Sequence, residues 1–195
     1  DSPHTHLLTT TGVLDSKFGF SIETGHAEKA IEQLMKIKSL NLLGLHFHLG
    51  SPIFELEPYS EAIDYVYDFA ANMRDKYGLD IKEFSPGGGF AIGYEVDKQP
   101  LPISHYAKVI GDSIKKSCKT HNFSLPKVIL EPGRALVGRS GVSIYRIGSI
   151  KTIPNVRNYV SVDGGMGDNI RPALYGSDYS VFSITKALEK ENRMK

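Results

Sequence analysis

Apolar positions along the chain recur at two spacings in turn, every second residue and then every third or fourth. This is the pattern of consecutive β/α units around a parallel sheet. The first strand expected is Lys17-Phe18-Gly19-Phe20-Ser21-Ile22, and Thr24 is placed to cap a helix whose Ala27, Ala30, Ile31, Leu34 and Met35 share one face. The second unit joins a strand from Leu42 to Leu49 to a helix carrying Ala62, Val66, Phe69, Ala70, Met73 and Tyr77, with Gly78 as its stop. The third runs from Ile81-Lys82-Glu83-Phe84-Ser85 through Pro86-Gly87-Gly88-Gly89 to a helix containing Tyr106, Ile110 and Ile114. A fourth strand, Lys127-Val128-Ile129-Leu130-Glu131, ends at Pro132-Gly133-Arg134.

Beyond Arg134 no amphipathic helix of ordinary length follows. From about Gly141 the segments Val142-Ser143-Ile144-Tyr145-Arg146-Ile147 and Asn158-Tyr159-Val160-Ser161-Val162 alternate as strands with turn residues between them. The fold class expected is therefore α/β: residues 1–140 form part of a (β/α) barrel and residues 141–195 begin a mostly β domain, the boundary falling near 138–142. Four units cannot close an eight-stranded barrel, which takes about 250 residues, but they make half of one. An open doubly wound sheet is the alternative, with its glycine-rich turn after the first strand. Here the glycine-rich turns follow the last two strands of the series, which favours the second half of a barrel, where phosphates commonly bind.

Composition narrows the function. Of 195 residues, 41% are hydrophobic and 10% aromatic, and 23 Lys plus Arg stand against 22 Asp plus Glu, a formal charge of +1. No apolar run approaches the ~18 residues of a membrane helix, so disorder and membrane spans are set aside. Without a basic cluster there is no surface built for nucleic acid, and small-molecule chemistry is the better expectation. The single cysteine, Cys118, sits at a helical packing position and cannot form an internal bridge. With no signal segment in view, this fits a reducing cytoplasm. The opening Asp1-Ser2-Pro3-His4-Thr5-His6 and the charged close from Glu189 read as the ends of a fragment.

Several residues could carry chemistry. His46 and His48, two apart on a strand, share a face with Gly44, while Leu43, Leu45, Phe47 and Leu49 take the other; the histidine face is expected inside the barrel. They read either as a metal or catalytic pair or as hydrogen-bonded core histidines, and the absence of a matching Asp, Glu or Cys cluster disfavours metal. Gly87, Gly88 and Gly89 are either a flexible turn or a ring of N–H groups wrapped around an anion, with Gly133 and Arg134 as a second anion-binding candidate in the next loop. Glu131 closes an apolar strand, so its carboxylate is expected in a mostly enclosed region with a partner. Either Arg134 or a bound heterocyclic nitrogen, held protonated by the carboxylate, would serve. Asp163-Gly164-Gly165-Met166-Gly167-Asp168 is expected as an unusually flexible turn. After it, Arg171 and Tyr175 are either surface residues or a clamp for a carboxylate.

In order, His46-Phe47-His48-Leu49-Gly50-Ser51, Gly87-Gly88-Gly89-Phe90, Glu131-Pro132-Gly133-Arg134 and Arg171-Pro172-Ala173-Leu174-Tyr175 resemble the diaminopimelate decarboxylase family. These are pyridoxal-phosphate enzymes of the alanine-racemase-like fold, to which ornithine and arginine decarboxylases also belong. The resemblance spans nearly the whole chain. It implies pyridoxal 5'-phosphate as cofactor, with His48 stacked on its ring, Glu131 on its pyridine nitrogen, and Ser51, Gly87, Gly88, Gly89 and the backbone at Gly133 and Arg134 on its phosphate. It implies meso-2,6-diaminopimelate as substrate, decarboxylated to L-lysine, with Arg134, Arg171 and Tyr175 on its far end, no metal, and a homodimer for the complete enzyme.

Pro52 stands where the family commonly carries Gln. The lysine through which the family binds its cofactor and the Cys-Glu-Ser type motif donated across its dimer have no counterpart here. The chain is therefore expected to be an inactive middle portion of the enzyme. The competing expectations are a decarboxylase of ornithine, arginine or carboxynorspermidine, a cofactor-free regulatory homologue, and a metal-dependent hydrolase using His46 and His48.

Overall fold

Three short parallel strands, β1 (Gly44–His46), β2 (Glu83–Ser85) and β3 (Lys127–Val128), lie side by side in chain order in the computed structural model, which describes residues 17–93, 99–184 and 193–194. Gly44 pairs with Glu83 and His46 with Ser85, while Glu83 and Phe84 pair with Lys127 and Val128. The ladder runs on past the regular strands through parallel bridges from Gly88 to Glu131 and from Ile53 to Phe90. Gly44 is required by the pairing, since a Cβ there would lie 1.6 Å from the Glu83 carbonyl oxygen.

Each strand-to-strand crossing passes through one long helix, the connection that parallel pairing demands. Helix α1 (His26–Met35) precedes the sheet, α2 (Glu57–Tyr77) joins β1 to β2, and α3 (Ile103–His121) joins β2 to β3. In α2, Pro58 opens the first turn, where its missing N–H costs nothing, and Gly78 closes the helix at φ +75° with its N–H on the Arg74 carbonyl. Tyr59, Ile63, Val66, Tyr67, Ala70 and Met73 form its buried stripe, which meets Tyr106, Ile110, Ile114 and Cys118 of α3 and Phe84 of β2 in one core. Cys118 is a buried packing residue with its thiol 3.4 Å from the Tyr67 hydroxyl.

The described residues form two compact units. The first takes in the residues up to Ile92 together with Pro100–Leu136, and the second Gly93, Gln99 and the residues from Val137 on. In the second, β4 (Ile147–Ile153) and β5 (Arg157–Val162) form an antiparallel hairpin turning at Asn155, φ +60°, and β6 (Val181–Phe182) pairs antiparallel with β7 (Arg193–Met194). The four-residue α4 (Arg134–Val137) follows the third strand, and α5 (Arg171–Tyr175) lies between β5 and β6. Among the described residues no helix is long and apolar enough to cross a membrane.

Three sequence expectations are corrected. Lys17–Ile22 is not a strand: Phe18 and Phe20 are 62% and 71% exposed. Ser21 accepts the N–H of Ala27 on its carbonyl and that of Thr24 on its hydroxyl, so the chain turns at once into α1. Gly25 at φ +75°, and not Thr24, is therefore the N-cap. The strand placed at Val142–Ile147 begins only at Ile147. Its partner β5 ends at Val162, and the Asp163 carboxylate takes the Arg146 N–H at 2.7 Å, closing the ladder there.

Candidate functional site

The C-terminal ends of the three parallel strands bring the candidate residues of the first unit together. Alternation along β1 and its continuation sends Leu45, Phe47 and Leu49 against the core and His46 and His48 to the opposite face, although Leu43 is 41% exposed. From the end of the third strand Glu131 reaches back across the sheet, and its Oε1 lies 3.4 Å from His46 Nε2. Glu131 was expected in an enclosed place. It is 56% exposed and His46 51%. Desolvation first, and then His46, hold the His48 imidazole below its usual pKa, while Glu131 pulls the other way. At neutral pH His48 is therefore an uncharged flat ring, suited to stacking on another ring.

The glycine loop is locked against its neighbours by three approaches that leave no room for a side chain. A Cβ on Gly87 would come within 2.6 Å of the Phe47 carbonyl and 3.0 Å of His48 Nδ1; one on Gly88, within 1.8 Å of the Glu131 carbonyl; one on Gly89, within 2.1 Å of the Gly50 carbonyl. Gly87 and Gly89 also stand at φ +73° and +88°, which L side chains rarely adopt. The Gly87 N–H rests on Ser85 Oγ at 3.2 Å, and its carbonyl takes the Glu131 N–H at 2.9 Å. The three loops are thus sewn together: 48–51, 87–89 and 131–134. Ser51, half-buried and followed by a cis peptide to Pro52, lies in the first of these loops. Gly133, at φ +35°, and Arg134 lie in the third, where the Pro132 carbonyl takes the Ala135 N–H to start α4.

Arg171 and Tyr175 belong to the second unit. One helical turn apart on α5, they stack with the guanidinium carbon 5.4 Å from the ring centroid, both side chains half-buried. The turn before them is tied by its own carboxylates: Asp168 Oδ2 accepts the Gly165 N–H at 2.9 Å, and Asp163 holds the Arg146 N–H.

Two residues the sequence did not single out, Tyr59 and Tyr106, send buried hydroxyls to the carbonyls of Gly88 and Ile53. The available signal was a tyrosine on a buried helical stripe, whose hydroxyl must find a partner. Among the described residues no group of three or more His, Cys, Asp or Glu side chains is placed to hold a metal ion. A neutral imidazole, a carboxylate and a glycine loop on one sheet end are what a flat, nitrogen-containing ring with an anionic tail requires, and the residues present fit such a group.

Residues 1–138 match the family model described as pyridoxal-dependent decarboxylase, pyridoxal binding domain. The chain is 41% identical over 190 residues to the diaminopimelate decarboxylase of Bacillus subtilis, covering 97% of this chain and 43% of that protein. The crystal structure of the M. jannaschii diaminopimelate decarboxylase with L-lysine superposes with a TM-score of 0.79 at 35% identity, over 87% of this chain and 38% of that one. The Helicobacter pylori enzyme complexed with L-lysine gives 0.77 at 30% identity, over 92% and 42%. The chain thus spans less than half the length of these relatives. It belongs to the pyridoxal-dependent decarboxylases and carries the match to their pyridoxal binding domain over most of its length.

Proposed function

We propose that this chain carries the cofactor-binding region of an enzyme that decarboxylates meso-2,6-diaminopimelate to L-lysine with pyridoxal 5'-phosphate. The observation that carries the reading is the meeting of His48, Glu131 and the Gly87–Gly89 loop at one end of the parallel strands, with Glu131 3.4 Å from His46. Bound pyridoxal phosphate supplies a ring that accepts the electron pair left at an amino acid's α-carbon when carbon dioxide departs. In this chain, Glu131 holds a proton on the ring nitrogen, His48 stacks on the ring, and Ser51, Gly87, Gly88, Gly89, Gly133 and Arg134 bind the phosphate. Residues 1–140 serve as the cofactor-binding part of the barrel's second half, and 141–195 as the beginning of a β domain. The complete enzyme, in this reading, is a cytoplasmic homodimer.

Substrate choice rests on Arg171. Diaminopimelate carries a second carboxylate at its far end, which a guanidinium binds in two-pronged fashion with help from Arg134 and the Tyr175 hydroxyl. Ornithine ends in an amine, which Arg171 repels. The test offers meso-diaminopimelate, ornithine and arginine to the full-length gene product loaded with pyridoxal phosphate, and follows amine and carbon dioxide by chromatography. Lysine and carbon dioxide in equal amounts from diaminopimelate are expected, and Arg171→Ala raises KM for it about 10- to 100-fold, the scale of a lost charge-assisted hydrogen bond. Ornithine or arginine turned over as well as diaminopimelate overturns the reading.

A further inference from the structure

Two helices each send one buried tyrosine to the backbone around the glycine loop, Tyr59 to the loop itself and Tyr106 to Ile53 beside it. Tyr59, in the first turn of α2, has no exposed surface, and its hydroxyl donates to the Gly88 carbonyl at 2.7 Å. Tyr106, in the first turn of α3, is equally buried and donates to the Ile53 carbonyl at 2.8 Å. The Ile53 N–H in turn donates to the Gly89 carbonyl at 2.8 Å. The two rings meet edge to face at 6.0 Å, and Phe90, next after the loop, packs on both at 5.8 and 5.3 Å. Burial raises the pKa of both hydroxyls, helped at Tyr59 by Tyr106 and opposed at Tyr106 by a bond with the Ala91 backbone, so both stay protonated and donating.

Three glycines in a row give a backbone that is free to rotate, so the direction of its N–H groups must be fixed by something outside the loop. A planar peptide sets its carbonyl and its N–H on opposite sides. Holding the Gly88 carbonyl therefore fixes the Gly89 N–H, and holding the Gly89 carbonyl fixes that of Phe90. The rings belong to the core, where phenylalanine would fill the same space, and the hydroxyls make the bonds to the backbone. We propose that Tyr59 and Tyr106 are positioning residues that hold the Gly87–Gly89 loop in its phosphate-binding shape, Tyr59 on Gly88 directly and Tyr106 one step removed, by anchoring the carbonyl side of Ile53, whose N–H on the neighbouring peptide holds Gly89. The inference rests on the pyridoxal-phosphate reading of the site.

The experiment uses the full-length gene product and three variants, Tyr59→Phe, Tyr106→Phe and Tyr67→Phe. Tyr67 lies on the same buried stripe of α2, with its hydroxyl by Cys118 and away from the loop, so it reports the plain cost of removing a buried hydroxyl. Each protein is titrated, by absorbance and fluorescence, with pyridoxal phosphate and with pyridoxal, which has the same ring and no phosphate. Hydrogen exchange of the peptide spanning residues 85–91 is followed in the cofactor-free proteins.

Tyr59→Phe and Tyr106→Phe are each expected to weaken pyridoxal phosphate about three- to tenfold, the worth of one buried hydrogen bond. They leave pyridoxal unchanged and speed exchange in the loop, while Tyr67→Phe does none of these. The proposal is overturned if pyridoxal phosphate binds both loop variants as it binds the wild type. It is equally overturned if pyridoxal weakens in step, or if Tyr67→Phe has the same effect. A wild-type protein that binds neither compound overturns the reading of the site, and this inference with it, whereas a wild type that binds both isolates the tyrosines as the point at issue.

Discussion

Glu131 is the residue on which the proposed chemistry turns. Its carboxylate stands at a strand end 3.4 Å from His46 Nε2, and Glu131→Gln keeps the shape while removing the charge. In the full-length protein this substitution is expected to lower kcat about 100-fold, the scale of losing one preorganised charge, with cofactor still bound and visible by its absorbance. An unchanged kcat would remove Glu131 from the mechanism. The placement of His46 and His48 on one face was legible in the sequence, because residues two apart on a strand must share a face. The His46 to Glu131 contact was not, since it spans three strands. The tyrosine-to-carbonyl bonds were equally hidden, because a carbonyl leaves no mark on the sequence. The exposure of Glu131 departs from the expectation because an apolar run does not itself supply cover: Ile129 and Leu130 beside it are exposed as well.

At the scale of elements, the seam between α2 and α3 is fastened on its outer side by polar contacts. Asp64 accepts from Ser117 Oγ at 2.6 Å and Lys116 Nζ at 2.8 Å, and His121 Nε2 lies 3.1 Å from Asp68 Oδ1. Arg74 stacks on Phe123 at 4.8 Å and donates to the His121 carbonyl. Burial alone would raise the Asp64 carboxyl, but the bonds from Lys116 and Ser117, with the charges of Lys116 and His121, bring it below its usual value. A carboxyl depressed in the folded state adds stability above its unfolded pKa of about 3.9, and that stability is lost as pH falls through the folded value. Asp64→Asn should therefore lower Tm at neutral pH by roughly a few degrees, since the pair is largely in solvent. The gap from wild type should close below about pH 4. Melting curves of the full-length proteins across that range check this, and a gap that persists at low pH would contradict it. The helices themselves were plain in the sequence, because α2 shows its period, its Pro58 start and its Gly78 stop together. The strand at Lys17–Ile22 was misread because alternation alone cannot supply a partner, and β4 was displaced because alternation does not say where a ladder begins.

For the molecule as a whole, exposed apolar side chains occur in both units. Val128 on the third strand, Ile129 and Leu130 just after it, and Val142, Ile144, Ile150 and Val156 in the second unit, are all exposed apolar residues. A polypeptide of these 195 residues made alone is expected to associate, its sedimenting mass rising with concentration; a monomer at every concentration would contradict this. The match between strand order and chain order carries one more consequence. In this sheet each strand docks on the edge laid down just before it, and none has to be threaded between two already in place. During synthesis, which proceeds from the N-terminus, β1 and β2 with their helices can therefore settle while the rest is still being made. His48 and the glycine loop are synthesised first, and Glu131 can reach His46 only once the third strand has been made. Of the three loops proposed to hold the cofactor, 131–134 is the last to leave the ribosome, and a nascent chain halted before that point has the glycine loop without the Glu131 carboxylate.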